Sequence, residues 1–66
     1  MDATERKLMK KAHKLAKFAR KHGLEYAHVG VMAPDKHCSR WFTDVTANRE
    51  KGEHISLNGF IEDGEL

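Results

Sequence analysis

The chain has 66 residues, twelve Lys/Arg, ten Asp/Glu and a single cysteine, Cys38. A chain of this length forms at most one domain and buries only about 60% of the surface that its unfolded form exposes, so its core must be thin. One cysteine excludes an intrachain disulfide and favours a reducing compartment. No stretch approaches the roughly 18 apolar residues of a membrane span, and the first residues lack the apolar segment of a signal peptide. We therefore expect one cytoplasmic α+β domain over residues 1–66, without membrane association.

Charge is divided unevenly along the chain. Residues 1–22 hold eight Lys/Arg and two acidic residues, a net charge of +6. Residues 23–66 hold four Lys/Arg and eight acidic residues, a net charge of −4. Such asymmetry between two parts of a chain indicates a partner recognised through electrostatics.

The first element is predicted to be a single N-terminal amphipathic helix. Asp2 and Glu5 have the spacing of a capping box, and Gly23 follows the last periodic residue, where a left-handed glycine ends a helix. At 100° per residue, the apolar side chains share about half of the circumference. They are Leu8, Met9, Ala12, Leu15, Ala16, Phe18 and Ala19. The opposite half is cationic, and its candidate binding residues are Lys10, Lys14, Lys17, Arg20 and Lys21.

Three strands are predicted after Gly23. Residues 24–32 alternate in polarity, residues 41–47 are rich in aromatic and β-branched side chains, and residues 54–61 alternate again. Ala33-Pro34-Asp35-Lys36 and the polar segment 48–52 supply the turns. Asn58-Gly59 is a strong hairpin signal and offers an alternative, a short fourth strand over residues 60–62. We favour a single, bulged third strand.

The element order predicts a helix packed across one face of a three-stranded antiparallel β-meander. Val29, Val31, Val45 or Trp41, Ile55 and Leu57 would then form a core with the helix. The opposite face would stay uncovered, since no second helix is available. Its candidate residues for partner binding or self-association are Tyr26, His28, Phe42 and Phe60. Aromatic residues on an open face are typical of protein–protein interfaces.

The sequence carries no motif for catalysis, a metal or a cofactor. His37-Cys38 lies in a predicted loop, and no paired spacing of zinc ligands occurs. Cys38 has basic neighbours that favour its thiolate, but no pocket that excludes water is expected in so thin a domain. The five glycines are scattered singly, so no phosphate-binding loop is present. We expect no enzyme activity, no bound metal and no cofactor.

Two functions fit this pattern. The first is a small protein-binding module, a regulator or inhibitor acting by surface contact and associating with itself as a homodimer. The alternative is a nucleic-acid-binding protein that contacts phosphates through the basic helix. The acidic second part of the chain and Asp44 beside the aromatic residues disfavour a polyanion on the sheet. Lysine-rich helix faces also commonly serve only to keep a small protein in solution.

Overall fold

The computed structural model describes residues 1–66. In chain order its elements are α1 (Ala3–Lys21), β1 (Leu24–Met32), β2 (Arg40–Arg49), β3 (His54–Glu62) and a 3-10 turn (Asp63–Glu65). The strands form one antiparallel sheet in the order β1-β2-β3. The predicted α-β-β-β fold is therefore confirmed.

The helix begins with the predicted capping box. The Asp2 carboxylate accepts a hydrogen bond from the Glu5 N–H at 2.8 Å, and the Asp2 N–H donates to Glu5 Oε1 at 3.3 Å. The backbone hydrogen bond from Glu5 holds the pKa of the Asp2 carboxyl below its ordinary value, because it stabilises the charged form. These contacts satisfy two backbone donors that the first turn would otherwise leave without partners.

The helix ends in a short and well-fixed connection. Only His22 and Gly23 separate α1 from β1, and Gly23 has a φ of 67°. The Glu50 N–H donates to the Gly23 carbonyl at 3.0 Å, which ties the connection to the β2–β3 turn. Phe18 and His22 pack ring against ring, with their centroids 4.3 Å apart. The direction in which α1 leaves the sheet is thereby set by the backbone.

The third strand is continuous, and the bulge that we expected in it is absent. Residues of β3 pair with β2 in unbroken register from His54 opposite Asn48 to Glu62 opposite Arg40. Asn58-Gly59 lies inside this register, so the alternative fourth strand does not form. The one irregularity of the sheet lies in β1, between Leu24 and Tyr26. Three consecutive strands joined by local turns thus need no long connection.

Side-chain and backbone hydrogen bonds fix both turns. In the β1–β2 connection, the Asp35 carboxylate accepts from the N–H groups of His37 and Cys38 at 2.8 and 2.9 Å. In the β2–β3 turn, the Arg49 N–H donates to the Glu53 carbonyl at 2.8 Å, and Gly52 has a φ of 83°. The first hydrogen-bonded turn spans Asp35 to Cys38 and not the predicted residues 33–36, and the second turn is shorter than predicted because β2 extends to Arg49.

The core differs from the prediction. The helix packs mainly against β1 and does not cross the sheet, and Ala47 is the only buried residue. Val29, Val31 and Leu57, which we expected beneath the helix, are all exposed. The radius of gyration is 14.2 Å, against about 11 Å for a compact chain of this length. The connection of two residues, with Gly23 fixed by the hydrogen bond from Glu50, holds α1 beside β1 and off the other two strands.

The Gly23→Ala variant tests this connection. A Cβ at this position would meet only Glu50 Cδ, at 3.9 Å, so the cost comes from the left-handed backbone and not from a clash. We expect the free energy of unfolding to fall by about 1–2 kcal/mol. Gly64→Ala is the matched control, because Gly64 lacks a positive φ and has no atom within 4 Å of such a Cβ. Urea denaturation followed by circular dichroism measures both, and equal stabilities would contradict the constraint.

Candidate functional site

The strand register divides the side chains of the sheet between two faces. Alternation along each strand defines the set on each face. The first set, here called the apolar sheet face, is Ala27, Val29, Val31, Trp41, Thr43, Val45, Ala47, Ile55, Leu57, Gly59 and Ile61. The second set, here called the mixed sheet face, is Tyr26, His28, Gly30, Met32, Arg40, Phe42, Asp44, Thr46, Asn48, His54, Ser56, Asn58, Phe60 and Glu62.

The apolar sheet face is open to solvent along its middle. Val31 is 66% exposed and Leu57 is 61% exposed, and they lie on the two edge strands either side of the central β2. Val29 is also exposed, opposite the half-buried Val45. The side chains of the set are uncharged, and Arg49, which follows Ala47 by the same alternation, lies at the end of the face in an ion pair with Glu53. Such a surface is larger and more uniformly apolar than scattered surface hydrophobic residues, and it indicates a contact site.

The few polar groups on the apolar sheet face already have partners within the chain. Thr43 Oγ1 donates to the Gly59 carbonyl at 3.1 Å. The Trp41 indole Nε1–H donates to Asp63 Oδ1 at 2.7 Å, which also anchors the 3-10 turn. If another surface covered this face, the Trp41 and Thr43 side chains would therefore keep their hydrogen-bond partners.

The mixed sheet face carries a compact aromatic cluster at one end. Phe42 and Phe60 lie opposite each other with ring centroids 5.5 Å apart in an edge-to-face arrangement. The Arg40 guanidinium lies over the Phe60 ring, 4.6 Å from its centroid, and its Nε is 3.8 Å from Glu62 Oε1. The structure thus brings two of the four predicted sheet-face residues into contact. An arginine on an aromatic ring is a contact that interfaces often use.

Tyr26 and His28 lie apart from this cluster. Tyr26 pairs with Asn48, six positions along β2 from Phe42, which corresponds to about 20 Å of strand. The His28 ring leans over Gly30, with Nε2 3.1 Å from where a Gly30 Cβ would lie. Both residues are exposed. The expected single patch of Tyr26, His28, Phe42 and Phe60 is therefore two separate sites on one face.

The helix also exposes apolar side chains. Leu8, Ala12, Leu15 and Ala19 form a line along α1 at intervals of four, three and four residues, here called the helix stripe. Leu15 and Ala19 are half-buried, and together with Leu24 and Ala27 they help to line a groove of about 540 Å³ between α1 and β1. Leu8, farther from the sheet, is 63% exposed. Only the second half of the stripe is covered by the chain itself.

The predicted basic residues lie exposed on the other side of the helix. Lys10, Lys14, Lys17, Arg20 and Lys21 are all accessible to solvent. The ion pairs of the molecule, Arg40–Glu62 and Arg49–Glu53, involve no residue of α1. The cationic charge of the helix is therefore unpaired within the chain and free to meet an acidic or anionic partner.

Cys38 and the histidines do not assemble into a site. The Cys38 thiol donates to the Arg40 carbonyl at 3.7 Å. His54 Nδ1 lies 2.8 Å from Asn48 Oδ1, at the far end of the hairpin. No three His, Cys, Asp or Glu side chains come close enough together to hold a metal ion. Neither helical segment is long and apolar enough to cross a lipid bilayer.

The exposed apolar sheet face is the feature that sequence reasoning missed. Its residues were recognised as apolar but were assigned to the core beneath α1. The length of the connection, only His22 and Gly23, was the available signal that the helix would not reach them. Apolar content alone does not tell whether a surface is covered by its own chain or by another.

Comparisons with protein-family models, with curated proteins and with solved structures give no match to this chain. The candidate site is therefore described by its own chemistry. That chemistry consists of an uncovered apolar sheet face, a half-covered helix stripe, a Phe42–Phe60 cluster and an unpaired basic helix face.

The hydrogen bond from Trp41 to Asp63 closes one end of the apolar sheet face and can be tested alone. Asp63→Ala removes the acceptor, whereas the matched control Asp63→Asn keeps an oxygen at the same place. Because the bond is partly exposed, we expect Asp63→Ala to lower the free energy of unfolding by about 0.5–1 kcal/mol. Urea denaturation followed by the emission of Trp41, the only tryptophan, is the measurement. Equal losses in both variants would show that the hydrogen bond contributes nothing.

Proposed function

We propose that this chain is a small protein-binding module, a regulator or inhibitor that acts by surface contact and associates with a second copy of itself. The observation that supports the proposal is that the chain leaves its own apolar surfaces uncovered. A thin domain without disulfides usually gains the missing stability from a partner subunit or a metal. Of these two, the open apolar sheet face favours stabilisation by a partner subunit.

The accessible surface gives the size of what is uncovered. It measures 5827 Å², which is about 1,500 Å² more than a compact monomer of this mass exposes. A standard protein–protein interface removes about 800 Å² from each partner, and obligate homodimers remove more. The excess surface is therefore of the size that a stable dimer covers.

The apolar sheet face is better suited to self-association than the mixed sheet face. Burying the mixed sheet face would take Asp44 out of water, and Asp44 has no ion pair or side-chain hydrogen bond within the chain. Desolvating an unpaired charge costs several kcal/mol. The apolar sheet face carries no such group. We therefore assign self-association to the apolar sheet face and leave the Phe42–Phe60 cluster and the basic helix face for another protein.

The basic helix face favours an acidic partner protein. Its five residues are exposed and have no ion pair, so they would attract a negatively charged target and speed up the encounter with it. The Arg40 side chain over Phe60 offers a second contact of the kind that anchors interfaces. A dimer would present each of these surfaces twice. Such duplication raises the avidity for a target that carries two sites.

Two substitutions on opposite faces of β3 test the assignment. Leu57 and Phe60 are 61% and 52% exposed, so a lysine at either position can extend into water, although Phe60→Lys also removes the ring's contacts with Phe42 and Arg40. We expect Leu57→Lys to reduce the mass measured by light scattering from two chains toward one, because the charge would have to be buried in the interface. Phe60→Lys, the matched control, should leave the dimer intact.

The unmodified protein should keep its dimeric mass from low to moderate salt, since apolar contacts are not screened. A monomer at every concentration would contradict self-association. A dimer that Phe60→Lys dissociates and Leu57→Lys does not would move the interface to the mixed sheet face, where the sequence analysis expected it.

Nucleic acid is the second candidate partner, supported by a group of four lysines along α1. Lys7, Lys10, Lys11 and Lys14 line one shallow surface, and none of them has an ion pair. Phosphates would displace counterions there, so binding would weaken linearly with log salt. We expect Lys10→Gln combined with Lys14→Gln to reduce that slope by about 0.9 for each phosphate contact removed.

Fluorescence anisotropy with a labelled oligonucleotide at several salt concentrations measures this slope. Lys36→Gln combined with Lys51→Gln is the control, because these lysines lie outside α1 and the change of net charge is the same. Absence of binding at low salt, or equal slopes in the two double variants, would contradict nucleic-acid binding through the helix.

A further inference from the structure

We infer that two copies of this chain associate by reciprocal packing, in which the helix stripe of each copy lies on the apolar sheet face of the other. This inference rests on the self-association proposed above and gives its arrangement. The partner is a second copy because the chain itself carries both halves of the contact, a helix stripe and an apolar sheet face, and brings only Leu15 and Ala19 of the stripe against its own β1.

The dimensions of the two surfaces match. The 19 residues of α1 make a helix of about 28 Å. Strands of nine and ten residues are about 30 Å long, and three of them place the outer strands about 10 Å apart, close to the diameter of a helix. One helix therefore covers the apolar sheet face of one copy. The alanines of the stripe, Ala12 and Ala19, allow the helix backbone to approach the sheet closely.

Packing of the whole helix stripe on the sheet of the same chain is prevented by the connection. Gly23 is held by the hydrogen bond from Glu50, and only His22 lies between it and the end of α1. The helix therefore leaves from the first residues of β1 with Leu8 well away from the sheet of its own chain. In the dimer, Leu8 of each copy packs on the apolar sheet face of the other copy. Two-fold symmetry makes the two contacts identical.

Reciprocal packing also covers more apolar surface than the alternative dimers do. Two apolar sheet faces packed directly on each other would leave both helix stripes in water. Pairing through strand edges would leave both the stripes and the sheet faces exposed. In the reciprocal arrangement both surfaces are removed from water, and the basic side of each helix, which includes Lys17, stays outside. The positive helix also lies on a segment of net negative charge, residues 23–66.

A helix substitution separates reciprocal packing from sheet-on-sheet packing. Leu8→Lys places a charge in the stripe at a position that makes little contact within its own chain, being 63% exposed. Reciprocal packing requires this variant to dissociate toward one chain by light scattering, as Leu57→Lys does. His13→Lys, on the basic side of α1, is the matched control and should retain the mass of two chains. A dimer that survives Leu8→Lys would overturn reciprocal packing and leave self-association standing.

Cross-linking then tests the contact directly. In a Cys38→Ser background, chains with Ala12→Cys and chains with Val45→Cys, one of them enlarged by a tag, are refolded together and treated with a bifunctional maleimide. The expected product is the mixed adduct of helix and sheet, several-fold more abundant than either adduct of two like chains. Lys17→Cys in place of Ala12→Cys should abolish the mixed adduct.

Each other outcome has a definite meaning. Adducts between two Val45→Cys chains alone would show sheet-on-sheet packing, and adducts between two Ala12→Cys chains alone would show helix pairing. A dimeric background variant that gives no adduct would also overturn reciprocal packing. A background variant and a parent protein that are both monomeric would instead contradict the proposed self-association, so failure of the arrangement and failure of the function are distinguishable.

Discussion

The connection between α1 and β1 is the constraint on which the rest of the structure depends. It consists of two residues, His22 and Gly23, with Gly23 in the left-handed region and its carbonyl bound to the Glu50 N–H. A flexible linker would let an amphipathic helix settle on an apolar sheet. This connection instead holds the helix beside β1, so the first half of the helix stripe and much of the apolar sheet face stay uncovered.

A chain with a single buried residue, Ala47, gains little stability from side-chain packing within itself. Backbone hydrogen bonds of the helix and the meander define its shape, together with the capping box and the two turns. Hydrogen bonds alone add little net free energy, because the unfolded chain is equally bonded to water. Burial of apolar area must supply the remainder, and in the proposed dimer a second copy covers that area.

The surfaces of the molecule divide by chemistry. The apolar sheet face has its polar groups satisfied by Gly59 and Asp63, so it can lose water at low cost. The mixed sheet face combines the Phe42–Phe60 pair with Arg40, Asp44 and Glu62, a composition that suits a more polar contact. The cationic side of α1 has no ion pair. Three chemically distinct surfaces, the apolar sheet face, the mixed sheet face and the basic helix face, therefore coexist on 66 residues and share no side chain.

The sequence by itself determined the elements and their local chemistry. The spacing of Asp2 and Glu5, the glycine at 23 and the change of period from 3.6 to 2 give the helix and the strands, since these signals act over a few residues. Only the tertiary structure decided what each face meets. The angle at which α1 leaves Gly23 depends on the hydrogen bond from Glu50, 27 residues later in the chain, and no local pattern encodes that contact. For the same reason, the apolar side chains of Val31 and Leu57 indicated buried positions, but they did not indicate whether their own chain would cover them.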